Sequence, residues 1–260
     1  MFSGETNTRS DSQNRRMAGC LAFVGGFVNS SGFVLIGSFT SHVTGNVGRL
    51  ANDAATGQFS AALTALGLVM AFFLGAFCAS SIIESRFAGG ATSRSYALAL
   101  AVEASLLFLF TWVSCRSPLL PQAEQAAVLC AAMGMQNALV TRLSGAVVRT
   151  THLTGVITDL GIECARWFRY SRRVLSEATN LRLVLGRRGA ERPLPAKIWL
   201  LGTIAVTFLF GAVAGALSAL HLQQLAMLLA ALGVASCSLY ARFNERLART
   251  SREQSRFDRE

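Results

Sequence analysis

Charge is what this chain has least of. Only 15% of its 260 residues are charged, against a usual share near a quarter, and 52% are apolar, which points to a membrane protein. Lysine is nearly missing, since the positive residues are arginines except for Lys197. A net charge of +10 suggests nucleic acid at first sight, but the arginines lie between apolar runs, as in loops that fix membrane topology. Nucleic acid is therefore not an expected partner. The six cysteines Cys20, Cys78, Cys115, Cys130, Cys164 and Cys237 form no C-x-x-C pair and mostly fall inside apolar segments, so they read as small apolar filler. No G-x-S-x-G, H-E-x-x-H, G-x-x-x-x-G-K-[ST] or dinucleotide fingerprint is present, so neither an enzyme nor a cofactor is expected. No A-x-A cleavage pattern follows a short hydrophobic core near the start, which predicts an uncleaved first helix.

Long apolar runs are what the chain has instead. Phe59 to Ile83 holds no charge for 25 residues and Ile198 to Ala241 none for 44, broken only by His221. A span needs about 20 apolar residues, so the second run holds two helices. Apolar runs between charges predict six spans at about 17–37, 59–83, 95–115, 122–144, 198–219 and 222–241. Gly89, Gly90, Pro118, Pro121, Pro193 and Pro195 fall between them, as breakers should. The domain plan is a polar head 1–16, a membrane domain 17–241 containing a basic loop 164–197, and a basic tail 242–260. With the N-terminus inside, the inner side receives three head arginines, Arg86 and Arg94, nine positives from Arg166 to Lys197 and six in the tail, 20 in all. The outer loops hold Arg49 and Arg116, and Arg142 and Arg149 are undecided. Both termini are expected in the cytoplasm.

One unusual phrase occurs twice. Gly26 to Asn29 (GFVN), Gly37 and Thr40 to Gly45 (TSHVTG) return as Gly134 to Asn137 (GMQN), Gly145 and Thr150 to Gly155 (TTHLTG). In each copy the Asn lies eight positions before the Gly, and Asp53 or Glu163 lies eleven after the His. FLGA at Phe73 to Ala76 also resembles FLFGA at Phe208 to Ala212. Matched spacing of polar residues in so apolar a chain predicts two copies of one unit, 17–115 and 122–241. Three spans per unit is an odd number, so the copies should be inverted, as in many secondary transporters with sites near the midplane. The fold class expected is an all-α integral membrane protein of about six transmembrane helices in two inverted repeats, with broken or re-entrant segments after helices 1 and 4.

The polar residues inside the apolar runs are the site candidates. Asn29 and its counterpart Asn137, beside Gln136, serve either as interhelical glue or as a lining near the pseudo-twofold axis. The segments around His42, Thr44 and Gly45, and around His152, Thr154 and Gly155, make poor lipid-facing helix; irregular backbone at depth is tolerated where protein or a cavity covers it. Gly45 and Gly155 then open short helices through Asp53 and Glu163, whose first N–H groups attract anions; the competing reading is an ordinary helix capped by Thr44 and Thr154. His42 and His152 can hold backbone, relay protons or contact substrate, and two histidines are too few for a metal site. Glu103 lies well inside a span, where a carboxylate costs about 2.5–3.5 kcal/mol on insertion. It should face the bundle interior, either for packing or as a proton carrier, with Asp53 and Glu163 as further coupling candidates. Gly211 and Gly215, and Gly75 and Ala79, are small-x-x-x-small pairs for close helix packing. Trp167, Phe168, Tyr170, Leu181 and Leu185, interleaved with arginines, suit the anionic inner membrane surface.

The segments Phe39 to Asn46 (FTSHVTGN), Gly134 to Ala138 (GMQNA) and Thr151 to Gly155 (THLTG) resemble the YoaK family of bacterial membrane proteins, over roughly residues 15–243. The resemblance implies a bacterial inner-membrane location and a multi-span fold, and implies no substrate or site residues. Taken together, the sequence favours a small-molecule transporter whose partners are the lipid bilayer and a solute, and it leaves a homo-oligomer open. Two alternatives stand beside it. One is a membrane-embedded metal protein or enzyme using His42, His152, Asp53 and Glu163, and the other a non-transporting scaffold or sensor.

Overall fold

A computed structural model describes residues 11–85, 93–116, 121–143, 152–177 and 195–257, and all of its regular structure there is helical. The helices are α1 (Asp11–Ile36), α2 (Val43–Ala55), α3 (Phe59–Glu84), α4 (Ser93–Arg116), α5 (Gln122–Leu143), α6 (Leu153–Glu177), α7 (Pro195–Leu222) and α8 (Ala226–Phe257), with a 3-10 turn at Gln223–Leu225 between the last two. Pro195 opens α7 where its missing N–H costs nothing. Four stretches are long and apolar enough to cross a membrane: Ala18–Ile36, Phe59–Glu84, Arg94–Arg116 and Pro195–Phe243, the last holding both α7 and α8. The chain is a helical membrane protein. Its outer faces agree: Phe73 and Phe77 on α3 and Leu209 and Phe210 on α7 are each more than half exposed, an apolar coat that suits lipid.

Each expected apolar segment falls within a helix by residue range, with corrections at the ends. His221 belongs to the last turn of α7, and α8 continues past the expected end at 241. The first part of the basic loop is helix, because α6 runs through Trp167, Phe168 and Tyr170 to Glu177. Gly89, Gly90, Pro118, Arg149, Leu181, Leu185 and Pro193 lie outside the described residues. Cys115 and Cys130 are both free.

Packing explains which helices can be less apolar. α1 and α5 are central: Ala18 to Val28 of α1 is buried almost all round, as is Leu129 to Gln136 of α5. α5 is not among the four apolar stretches, and it has less need to be, since it meets protein rather than lipid. α3 and α7 are peripheral and bury one stripe each, at Ala65, Leu68, Gly75, Ala79 and Ile83 and at Leu201, Ile204, Gly211, Gly215 and Ala219.

The tightest pairs are α1 with α7 and α3 with α5. Both depend on glycine. A Cβ on Gly26 would run into the Phe208 carbonyl, and one on Gly211 into that of Phe23. A Cβ on Gly134 would meet the Phe72 carbonyl, and one on Gly75 that of Ala131. Backbones this close gain dispersion contacts that drive helix association where lipid is as apolar as the protein. Contacts advance in the same direction on both partners, Phe23 beside Gly211 and Phe27 beside Gly215, so α1 and α7 run parallel. α4 packs on α8, and shorter contacts join α1 to α5, α4 to α5 and α1 to α8.

Candidate functional site

The first motif folds back along the helix it follows. α1 ends at Ile36, and Gly37 adopts φ +67° while its N–H bonds the Phe33 carbonyl at 2.9 Å, the left-handed stop that glycine allows. The next residues then retrace α1. Phe39 stacks on Phe33 with ring centroids 4.3 Å apart, and Thr40 lies buried against Gly32, where a Cβ would come within 2.8 Å of its methyl group. Ser41 reaches Asn29, whose side-chain oxygen accepts from the Ser41 N–H at 3.1 Å and from its hydroxyl at 2.9 Å. Asn29 is seven residues before Ile36, so the return descends about 10 Å at 1.5 Å per residue. α2 therefore starts well inside the level where α1 stops.

His42 is the N-cap of α2, but its side chain makes no capping bond. The helix starts two residues earlier than Gly45, with Thr44 in its first turn, so neither Gly45 nor a Thr44 cap opens it. The imidazole instead lies over Gly45, where it occupies the place of a Cβ. The second motif repeats this. α6 starts just after His152, whose ring lies over Gly155, and the Val156 N–H bonds the His152 carbonyl at 3.1 Å, as Asn46 bonds His42 at 3.2 Å. His42, Thr44, His152 and Thr154 are exposed, and Gly45 and Gly155 half-buried. Gly145 and Thr150, on the approach to the second motif, lie outside the described residues.

The amides are brought into the bundle without meeting. Gln136 is fully buried and donates to the Leu21 carbonyl at 2.8 Å, tying α5 to α1, while its own oxygen has no partner. Asn137 donates to Met133 within its helix at 2.9 Å. Because Gln136 is level with Leu21, and Asn29 lies eight residues further along α1, the two asparagines differ in depth by about 12 Å.

α2 and α6 bury corresponding faces, Asn46 with Asp53 on one and Val156 with Glu163 on the other. Arg49 approaches Asp53 at 3.5 Å. Glu163 is held by Lys197 of α7 at 2.8 Å and by Arg166 at 3.0 Å. The Lys197 hydrogen bond pulls the Glu163 carboxyl below its ordinary range; partial burial opposes the shift, and the charges of Lys197 and Arg166 add to it. Glu163 thus acts as an ionised tie between α6 and α7. Glu103 on α4 is different. It is completely buried, and neither of its oxygens has a hydrogen-bond partner. Among the described residues no three His, Cys, Asp or Glu side chains are grouped as metal ligands.

Residues 17–240 match a family described as protein of unknown function (DUF1275). The chain belongs to that family. The same family was legible in the YoaK-like motifs. Comparison with curated proteins and with solved structures gave no match. In this DUF1275 chain, sequence reasoning missed two pairings. Cys20 and Cys237 bring their sulfurs to 3.9 Å across α1 and α8, and Lys197 pairs with Glu163. Cysteines 217 positions apart carry no sequence signal of contact.

Proposed function

We propose that this chain is a small-molecule transporter or permease of the bacterial inner membrane rather than an enzyme. It has six spans in two inverted three-span repeats and both termini in the cytoplasm. Alternating access is coupled to protons through Glu103. The observation that carries the reading is the exchange of partners between the halves. Gly26 packs on α7 as its counterpart Gly134 packs on α3, and Gly211 packs on α1 as Gly75 packs on α5. Each tight pair therefore takes one helix from each half, and every inter-helix contact named above has a counterpart when the halves are exchanged: α2 with α3 and α6 with α7, α4 with α5 and α8 with α1. Two related bodies, α1–α6–α7 and α5–α2–α3, are what rocking about a pseudo-twofold axis requires.

α1 and α5, which join the two bodies, meet more lightly than the helices within each body. α1 meets α5 with the Gln136–Leu21 bond, while α4 and α8, outside both bodies, pack closely on each other with the Ser238 hydroxyl on the Ala97 carbonyl at 2.7 Å. A sliding motion needs few such bonds to exchange. The α2 N-terminus, drawn about 10 Å along α1 beside Asn29, offers the positive end of its dipole to a polar or anionic solute, with His42 and Thr44 at its rim. Glu103 supplies coupling, because a sealed carboxylate with no protein partner must be accompanied by a proton or by a cationic substrate. The inner placement of 20 arginines and lysine supports the orientation.

The test is flux into proteoliposomes across a broad solute panel, with and without an imposed pH gradient. Gradient-driven uptake by the wild type that becomes gradient-independent in Glu103→Gln supports the reading. Absence of flux for the whole panel, from protein that retains its helical content, defeats the transport reading; uptake that stays coupled in Glu103→Gln defeats the role of Glu103.

A further inference from the structure

The structure assigns a lipid site to the cleft between α4 and α8: we propose that it binds one anionic phospholipid of the surrounding bilayer, with an acyl chain in the cleft and the phosphate on Arg94 and Arg242. The cleft is about 420 Å³. Small side chains on both helices hollow it out, among them Ala101 and Ala104 on α4 and Ala231 and Ala235 on α8, while Phe108 and Leu239 form parts of its wall. Its two hydroxyls are already used, Ser105 on the Ala101 carbonyl at 2.8 Å and Ser238 on the Ala97 carbonyl at 2.7 Å. Nothing polar is left along the trough, so its occupant is a hydrocarbon chain.

One end is different. Arg242 closes the lining. α4 and α8 run antiparallel, and the bond from Ser238 to Ala97 fixes their register. Arg94, three residues before Ala97, therefore lies level with Arg242, four residues after Ser238. Arg94 is also seven residues before Ala101, two helical turns, and so lies on the cleft-lining face of α4. Both arginines are exposed, and neither has an acidic partner among the described residues. An apolar trough ending in two exposed guanidinium groups, with no acidic partner among the described residues, is complementary to a phosphate carrying an acyl chain. A free anion has no use for the trough, and a zwitterionic headgroup brings a positive charge to the arginines. The site is independent of transport and holds whether or not the chain moves a solute.

The experiment measures lipid retained by full-length protein carried from detergent into mixed micelles of phosphatidylglycerol or phosphatidylcholine, read by native mass spectrometry. The wild type should keep one phosphatidylglycerol and little phosphatidylcholine. The Arg94→Gln, Arg242→Gln double variant should bind phosphatidylglycerol about thirtyfold more weakly, at roughly the attraction expected per arginine near an anionic surface. Leu232→Trp, which fills the trough from its exposed rim with both arginines intact, should lose it too, and Arg166→Gln on α6 should not. The proposal is overturned if the double variant or Leu232→Trp retains lipid as the wild type does, or if both lipids are kept equally. Displacement by millimolar inorganic phosphate, which assigns the arginines to a free anion, overturns it as well. So does dimerisation on delipidation that both substitutions block, which assigns the cleft to a second copy of the chain.

Discussion

The interlocked glycines give the sharpest test of the fold, because α3 and α7 each carry a control. Gly75 and Gly211 face a partner's backbone, whereas a Cβ on Gly67 or Gly202 would meet nothing within 4 Å. In a helix interior alanine is favoured over glycine by about 0.5–1 kcal/mol, so Gly67→Ala and Gly202→Ala should be neutral or slightly stabilising. At Gly75 and Gly211 the obstruction is a main-chain carbonyl, which cannot swing aside as a side chain can, so the two helices must separate. Overpacking of this kind costs about 1–3 kcal/mol. After the propensity gain is deducted, a loss of up to about 2.5 kcal/mol remains, a factor of up to roughly 70 in the folded ratio. The assay is equilibrium unfolding in mixed micelles by titration with a denaturing detergent, followed by far-ultraviolet circular dichroism. The two substitutions lie in different helix pairs, so together they should add to within about 0.3–0.5 kcal/mol. If Gly211→Ala is as stable as Gly202→Ala, the close approach of α1 and α7 is wrong. If Gly75→Ala and Gly211→Ala differ by more than about 1 kcal/mol, the equivalence of the two pairs fails.

Other outcomes follow from single contacts. Mild oxidation should link Cys20 to Cys237, since their sulfurs need only close from 3.9 Å to about 2.05 Å; peptide mapping that finds no such link refutes the contact of α1 with α8. The folded pKa of Glu163 is depressed, so its stabilising effect is complete above the ordinary carboxylate range and fades as pH falls through and below it. The melting temperatures of wild type and Glu163→Gln should therefore differ at neutral pH and converge on acidification. A constant gap across pH contradicts the ion-pair account. Asn29→Ala removes the acceptor of both Ser41 bonds and should speed alkylation of a cysteine placed at Ser41, while unchanged protection means that the return loop is held by packing alone.

Much of this architecture was legible as periodicity and repetition. Charge-free runs located the long helices, and the doubled phrase located the two places where a helix starts over a histidine and a glycine. The helix partners were not legible. Gly26 reveals that something packs closely there, but only three dimensions show that it is α7, more than 180 residues away. The fold-back of the first motif was one of two alternatives at the level of sequence, because Thr, Ser and Gly suit an outward loop as well as a returning one. The Asn29 acceptor, which holds Ser41 beside α1, is what the sequence did not reveal. The helical course of α6 beyond Glu163 was obscured by its composition: arginines interleaved with Trp167, Phe168 and Tyr170 read as a basic loop, although arginine is a good helix former. The Lys197 to Glu163 contact depends on how α6 docks on α7, which no local pattern encodes.

The exchange of partners also sets an order of assembly in time. The α3 and α5 segments that pack together are separated by about 60 residues, which a ribosome adds in roughly 3–12 s at about 5–20 residues per second. The stretch of α7 that meets α1 follows it by about 190 residues, or roughly 10–40 s. The α3–α5 body can close while the second half is still being made, but α1 must wait in the bilayer with Gly26 and Ser31 uncovered. A chain cut short before α7 would hold one finished body and one helix without its mate.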